Sequence, residues 1–340
     1  MQKTVFVVDD NAVNLAVARE SLKGQYRVRT LPSAAKMFEM LEKSTPDLIL
    51  LDIEMPEMDG FQALSKLKDS APTADVPVIF LTSITDEDTE ARGFQMGVID
   101  FINKPFSVPV LLNRIKTHLD LDDIIKERTA QLQSLQNALI HTLADIVESR
   151  DKGTGGHIER TAQYTSILLE EMLAQGVYAS ELRAVDMEQL ISSARLHDLG
   201  KVGVADAVLN KPGKLSSEEF AEMKTHCETG EKFIESIMER SGDAHLLLYA
   251  KQIAGSHHER WDGNGYPRGL SGHDIPLPGR IAAVVDVFDA LVSARPYKKG
   301  FPPEEAIAII SENSGAQFDP AIVEAFIKSK ERFIGIYDGE

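Results

Sequence analysis

Five of the nine histidines, His157, His197, His226, His257 and His258, stand near carboxylates in the second half of the chain. His197-Asp198 leads into Leu199-Gly200-Lys201, where a glycine lets the backbone turn close to a ligand. His257-His258-Glu259 precedes the glycine-rich loop Trp261-Asp262-Gly263-Asn264-Gly265-Tyr266-Pro267. Asp286 interrupts the apolar run 281–292, where a lone charge is costly unless it meets a metal or a partner. Imidazole and carboxylate without thiolate suit manganese, iron, zinc or nickel. These seven side chains are too many for one structural zinc, whereas a carboxylate shared by two ions makes a hydrolytic centre. Taken singly, a buried histidine is more often a hydrogen-bonded core residue. Adjacent histidines on a helix also point apart, so His257 and His258 both ligate only if a helix end or loop wraps the site. His245, His273 and Cys227 read as structural.

A second set, Asp9, Asp10, Asp52, Thr82 and Lys104, is spread over residues 1–120. Strands are expected at 4–8, 27–31, 47–51, 76–81 and 98–102. Helical patterns start near Ala12, Ser33, Gly60 and Asp86, and again after Ser107. Near-continuous apolar strands separated by helices predict an α/β doubly wound, five-stranded parallel sheet, with its ligand site at the carboxyl ends of the strands. Asp9 and Asp10 end the first strand there, Asp52 the third and Thr82 the fourth, and Lys104 follows the fifth. Three converging carboxylates repel one another, a cost best offset by a divalent cation such as Mg²⁺. The lysine and threonine can then hold the oxygens of an incoming phosphoryl group. Alone, each aspartate reads as a helix cap or turn residue; five such residues at the correct strand ends do not.

Beyond Ser107 the pattern is purely helical. Positions 121, 125, 128, 132, 135, 139, 142 and 146 alternate steps of four and three, and all but Arg128 and Thr142 are apolar. This spacing fits a coiled-coil seam, or a long helix packed on its own second domain. From Arg150 on, helices alternate with Gly/Pro-rich loops. The net charge is −17 and neither half is basic, which excludes a non-specific nucleic-acid or anionic-membrane footprint. A single cysteine cannot form an intrachain disulfide and fits a reducing compartment. No apolar run is long and uninterrupted enough to span a membrane, so a cytoplasmic location is expected.

Residues 1–120 resemble the receiver domains of two-component response regulators. The motifs are Val8-Asp9-Asp10-Asn11, Leu51-Asp52-Ile53-Glu54-Met55-Pro56-Glu57-Met58-Asp59-Gly60, Leu81-Thr82-Ser83 and Asn103-Lys104-Pro105-Phe106. The resemblance implies that Asp52 accepts a phosphoryl group from a cognate sensor histidine kinase. It further implies Mg²⁺ binding by Asp9 and Asp10, phosphoryl contacts from Thr82 and Lys104, and a switch aromatic at Phe101.

Residues 141–335 resemble the HD-GYP subgroup of HD-superfamily metal-dependent phosphohydrolases, an all-α fold. His197-Asp198 is the HD pair, and Gly265-Tyr266-Pro267 is the signature tripeptide. The resemblance implies hydrolysis of cyclic di-GMP to pGpG, or on to GMP if a second cut follows. The expected cofactors are two iron or manganese ions, with nickel, zinc or cobalt as alternatives. By matching position, Asp198 bridges the ions, with His197 and Asp286 on one and His226, His257 and His258 on the other. His157 lies close to the first, Lys201 contacts the scissile phosphate, and Arg295 and Lys298 hold the ligand's phosphates. Some members carry a metal-binding glutamate where this chain has Gly153, which favours two ions over three.

The implied organisation is a receiver domain at 1–120, a helical or coiled-coil linker at 121–145 and the HD-GYP domain at 146–340. A homodimer through the linker and a GGDEF-type protein partner stay open. So do a non-catalytic receptor and a phosphodiesterase for another cyclic dinucleotide.

Overall fold

The computed structural model describes residues 2–83, 87–150, 156–242, 247–293 and 300–337. Gly153, His245, Arg295 and Lys298 lie outside them. The chain forms two compact units, Met1–Leu132 and Gln133–Glu340.

The first unit alternates β1 (Thr4–Val8), α1 (Ala12–Leu22), β2 (Arg27–Leu31), α2 (Ala34–Leu41), β3 (Leu48–Asp52), α3 (Gly60–Lys68), β4 (Val78–Thr82), α4 (Glu87–Gln95) and β5 (Asp100–Asn103). All five strands are parallel in the order 2-1-3-4-5, the doubly wound arrangement expected. The strand period of two sorts the side chains into two layers. Val5, Val7, Leu48, Leu50, Ile79 and Leu81 pack on α1 and on Leu111, Ile115 and Leu119. Phe6, Val8, Ile49, Leu51 and Phe80 pack on α2 and α3. Both faces are covered, which is why β1, β3 and β4 are nearly all apolar. Asn11, Ser33 and Asp59 begin α1, α2 and α3 by accepting a backbone N–H with the side chain. β4 begins two residues later than the composition suggests, since Pro77 has no N–H to give the ladder.

Helix α5 (Val108–Glu148) runs 41 residues. The seam residues Leu121, Ile125, Leu132, Leu135, Leu139 and Ile146 are each more than half exposed. Ile140, Ala144 and Val147, on another face, are buried with Ile158, Leu196, Leu199 and Ile234. The last turns of α5 therefore pack on the helical core of the second unit, and the seam is a separate, outward stripe.

The second unit continues with α6 (His157–Gln175), α7 (Ala179–Leu182), α8 (Met187–Ala194), a 3₁₀ turn (Leu199–Gly203), α9 (Asp206–Leu209), α10 (Ser217–Ser241), α11 (Leu248–Ser256), α12 (Leu277–Val292), α13 (Pro303–Glu312), α14 (Pro320–Lys328) and α15 (Lys330–Tyr337). Tyr164 of α6, Phe288 of α12, Phe326 of α14 and Phe333 of α15 form its aromatic centre, with ring centroids 4.7–5.4 Å apart. Helix α12 is buried on nearly every side, as its all-round hydrophobicity requires. Among the described residues, no helix is long and apolar enough to cross a membrane.

Candidate functional site

Five elements bring the histidines and aspartates of the second unit together. His157 opens α6, His226 lies in α10 and Asp286 in α12, and His197-Asp198 immediately precedes the 3₁₀ turn. His257 caps the end of α11 and His258 follows it, so the chain leaves the helix where two adjacent imidazoles must face one site. Donor atoms of His157, His197 and Asp198 lie within 4.8 Å of one another, and so do those of His226, His257 and His258. Asp286 Oδ1 joins the first group, 3.5 Å from His157 Nε2 and 3.8 Å from His197 Nε2.

Asp198 stands between the two groups. Its Oδ2 is 3.3 Å from His197 Nε2, while Oδ1 is 3.5 Å from His226 Nε2 and 3.9 Å from His257 Nε2. Lys201 Nζ lies 2.7 Å from Asp198 Oδ2. Gly200 makes this approach possible, because a Cβ there would come within 1.9 Å of the His226 carbonyl oxygen.

The histidine rings are held by their outer nitrogens. Nδ1 of His197, His226 and His257 faces the carbonyl oxygens of Ala194, Met223 and Ile253 at 2.8, 2.7 and 3.0 Å. Nδ1 of His157 faces Asp289 Oδ2 at 2.6 Å. An N–H donated to these acceptors leaves the lone pair on Nε2, the tautomer a metal ligand needs. The Nε2 atoms converge, 3.1 Å apart for His157 and His197 and 3.4 Å for His226 and His257.

In the second group the charge balance agrees with this orientation. Burial pushes His257 well below the usual imidazole range, His258 down to about 4 and His226 downward, so these rings are neutral. Burial also opposes a charge on His197, but Asp198 and Asp286 outweigh it and push the group up to about 9. Burial likewise disfavours ionised Asp198, yet Lys201 and His197 hold its carboxyl well below the usual range. The first group thus favours a positive charge beside its carboxylates. Cys227 Sγ comes 3.5 Å from His226 Nε2, but burial raises its thiol far above neutrality and leaves no thiolate to ligate. The fit is to borderline ions bound by nitrogen and oxygen.

Sequence reasoning missed the layer behind these donors. Asp289 is buried, held by Arg160 Nε and Nη2 at 2.6 and 3.0 Å, and fixes His157. A second carboxylate three residues after Asp286 on one apolar helix was the available signal. Buried Glu259 accepts the N–H groups of Arg268 and Leu270 at 2.8 and 3.0 Å, which folds the Gly-Tyr-Pro loop back over the site. Tyr266 then donates its N–H to the His258 carbonyl at 3.1 Å, and its ring lies 4.8 Å from the His258 ring.

The first unit holds a different acidic cluster. Oxygens of Asp9, Asp10 and Asp52 lie within 4.8 Å of one another. Lys104 Nζ meets Asp9 Oδ2 at 2.8 Å and Asp52 Oδ2 at 2.6 Å. Asn14 Nδ2 and the Asn11 N–H donate to Asp9 as well. Burial raises the Asp52 carboxyl, and Lys104 only partly offsets this. Thr82 is buried at the end of β4, and its carbonyl accepts the Lys104 N–H at 2.7 Å. Phe101 is buried edge-on between Phe80 and Phe94, with centroids 5.6 and 5.1 Å away.

Family comparison matches residues 5–116 to the response regulator receiver domain and residues 141–322 to the HD domain. A Vibrio cholerae protein named as a probable cyclic di-GMP phosphodiesterase is 38% identical over 98% of this chain and 79% of its own length. A Xanthomonas campestris protein named as a cyclic di-GMP phosphodiesterase response regulator is 33% identical, covering 96% of this chain and 87% of that one. A Vibrio cholerae protein named as a 3'3'-cGAMP-specific phosphodiesterase is 38% identical over 60% of this chain and 37% of its own. With an aspartate set between two histidine groups in one unit and an acidic pocket at the sheet edge of the other, the chain belongs to the response-regulator phosphodiesterases that join a receiver domain to an HD domain of the HD-GYP subgroup.

Proposed function

We propose that this chain is a cytoplasmic response regulator that hydrolyses cyclic di-GMP to linear pGpG at a dinuclear centre, under control of Asp52 phosphorylation. The position of Asp198 carries the reading, with one carboxylate oxygen toward each histidine group and Lys201 Nζ 2.7 Å from Oδ2. His197 and Asp286, with His157 close by, would hold one transition-metal ion, and His226, His257 and His258 the other. Asp198 would be shared. Iron or manganese suits this thiolate-free set. Gly153 supplies no donor to a third ion. Such a pair of ions supplies Lewis acidity and water activation for phosphodiester hydrolysis.

The protein's own groups do the rest. Lys201 sits beside Asp198 to bind a non-bridging phosphate oxygen and offset the charge that grows as the P–O bond breaks. By matching position, Arg295 and Lys298 would hold the substrate's phosphates, two cations in a chain of net charge −17. Tied Nδ1 atoms keep the imidazoles fixed through the reaction. In the receiver, Asp9 and Asp10 would hold Mg²⁺, and Asp52 would take the phosphoryl group from a sensor histidine kinase. Thr82 and Lys104 would contact its oxygens. We assign residues 1–120 to the receiver domain, 121–145 to the linker and 146–340 to the HD-GYP domain.

The resemblance to a 3'3'-cGAMP-specific enzyme supports a second reading in which a mixed cyclic dinucleotide is preferred. Protein loaded with Fe(II) or Mn(II) is incubated with each dinucleotide, and the products are separated by chromatography. Faster conversion of cyclic di-GMP to pGpG is expected. Preference for 3'3'-cGAMP would assign the second substrate, and no product with either metal would leave a receptor.

A further inference from the structure

The 3₁₀ turn Leu199–Gly203 carries Lys201 and follows Asp198, so its position sets both groups. One side is fixed, because Gly200 lies against the backbone of α10 at His226 and Gly230. The other end presents the carbonyl oxygens of Lys201, Val202 and Val204, of which the first also accepts the Val204 N–H at 3.1 Å. Arg150 meets them. It lies two residues past the end of α5, and its Nη1 donates to the carbonyl oxygens of Val202 at 2.8 Å and Lys201 at 3.4 Å. Its Nη2 donates to Val204 O at 3.2 Å and Asp206 Oδ1 at 2.6 Å. The Arg150 carbonyl in turn accepts Asn210 Nδ2 at 3.0 Å. Two residues back, Glu148 Oε1 accepts the N–H of His157, the first residue of α6.

From this juxtaposition we infer that Arg150 is a positioning residue, through which the end of α5 holds the turn that places Lys201 and Asp198. A planar guanidinium suits the task. Its fork binds several carbonyls at once with a fixed geometry, and its charge is favourable at a helix C-terminus. A lysine's compact ammonium lacks this fixed planar fork. Glu148 gives the same helix end a hold on His157, so α5 terminates on both sides of the first histidine group. The inference rests on the reading of Lys201 and Asp198 as groups acting at a phosphodiester.

The test compares full-length wild type, Arg150→Ala and Arg150→Lys, each metal-loaded. Turnover of cyclic di-GMP is measured together with hydrogen exchange over residues 199–204. A displaced catalytic turn is expected to lower kcat in Arg150→Ala on the order of 10- to 100-fold with KM nearly unchanged. Exchange should rise over 199–204 but not in α12, and Arg150→Lys should recover part of both. Unchanged kcat and exchange would overturn the assignment. So would a loss of kcat without faster exchange over 199–204, or faster exchange spread through the whole unit. If the wild type turns over no substrate, the functional reading fails, and the exchange measurement alone decides the role of Arg150.

Discussion

At the sheet edge of the first unit, Asp9, Asp10, Asp52 and Lys104 stand on three strand ends and a loop, with Asp10 exposed. In the helical unit, five imidazoles and two carboxylates converge from helix ends and helix faces, and His197, His226 and His257 are almost wholly buried. Each site pairs carboxylates with one lysine, yet the donors differ. An all-oxygen set with one of its three carboxylates exposed suits a hard ion that keeps most of its waters and leaves room for a phosphoryl group. A nitrogen-rich, buried set in which four histidines turn Nδ1 to outer acceptors suits ions that stay bound through many turnovers. The lysines differ in the same sense. Lys104 neutralises two carboxylates at once, whereas Lys201 engages the one carboxylate placed between the histidine groups.

The largest effect is expected where the helical site has no substitute. Asp198→Ala removes the carboxylate set between the two histidine groups and the partner of Lys201. Turnover should fall by roughly 10³-fold or more, with less bound metal, while the receiver still binds beryllofluoride. Retention of more than a few per cent of activity at unchanged metal content would remove the shared role. His257→Ala should lose one ion of the two, read by elemental analysis, because two neutral imidazoles remain in its group. Asp289→Asn tests the outer layer. The weaker amide acceptor at His157 Nδ1 should cost about 10- to 100-fold in metal affinity or activity. A metal titration indistinguishable from wild type would show that Asp289 serves only to pair Arg160.

Parallel strands place their carboxyl ends on one edge, so strand assignment alone brought Asp9, Asp10, Asp52, Thr82 and Lys104 together. The expected bounds of β3, β4 and β5 were off by one or two residues, and Pro77 accounts for the late start of β4. The helical site was legible in its donors, since His-Asp, His-His and the glycine-rich loop are local patterns. Its orientation was legible only in part. The acceptors at Ala194, Met223 and Ile253 lie three or four residues before their histidines, within one helical turn of each. Asp289 lies 132 residues from His157, and Arg150 lies 51 to 56 residues from the groups it holds; no local spacing announces either contact. The split character of α5 was also hidden, because a seam facing outward and a face packed on the core share one apolar helix.

The smallest effect expected is the one that joins the two sites. Lys104 is four residues before the first residue of α5, and α5 runs without interruption to Glu148, two residues short of Arg150. Its Nζ now divides its contact between Asp9 and Asp52. A phosphoryl group on Asp52 adds negative oxygens that compete for this lysine and for Thr82, so the loop that starts α5 must adjust. Coupling between sites in one protein is typically a factor of 5 to 150, and one helix under load favours the lower end, about 5- to 10-fold in turnover. Turnover is therefore compared with and without beryllofluoride and Mg²⁺ in wild type and Asp52→Asn. The wild type should change and Asp52→Asn should not. If Arg150 is the hold at the far end, Arg150→Ala should bring the ratio close to one while beryllofluoride still binds. Equal turnover in every state of the wild type would separate the two sites functionally and leave α5 a tether.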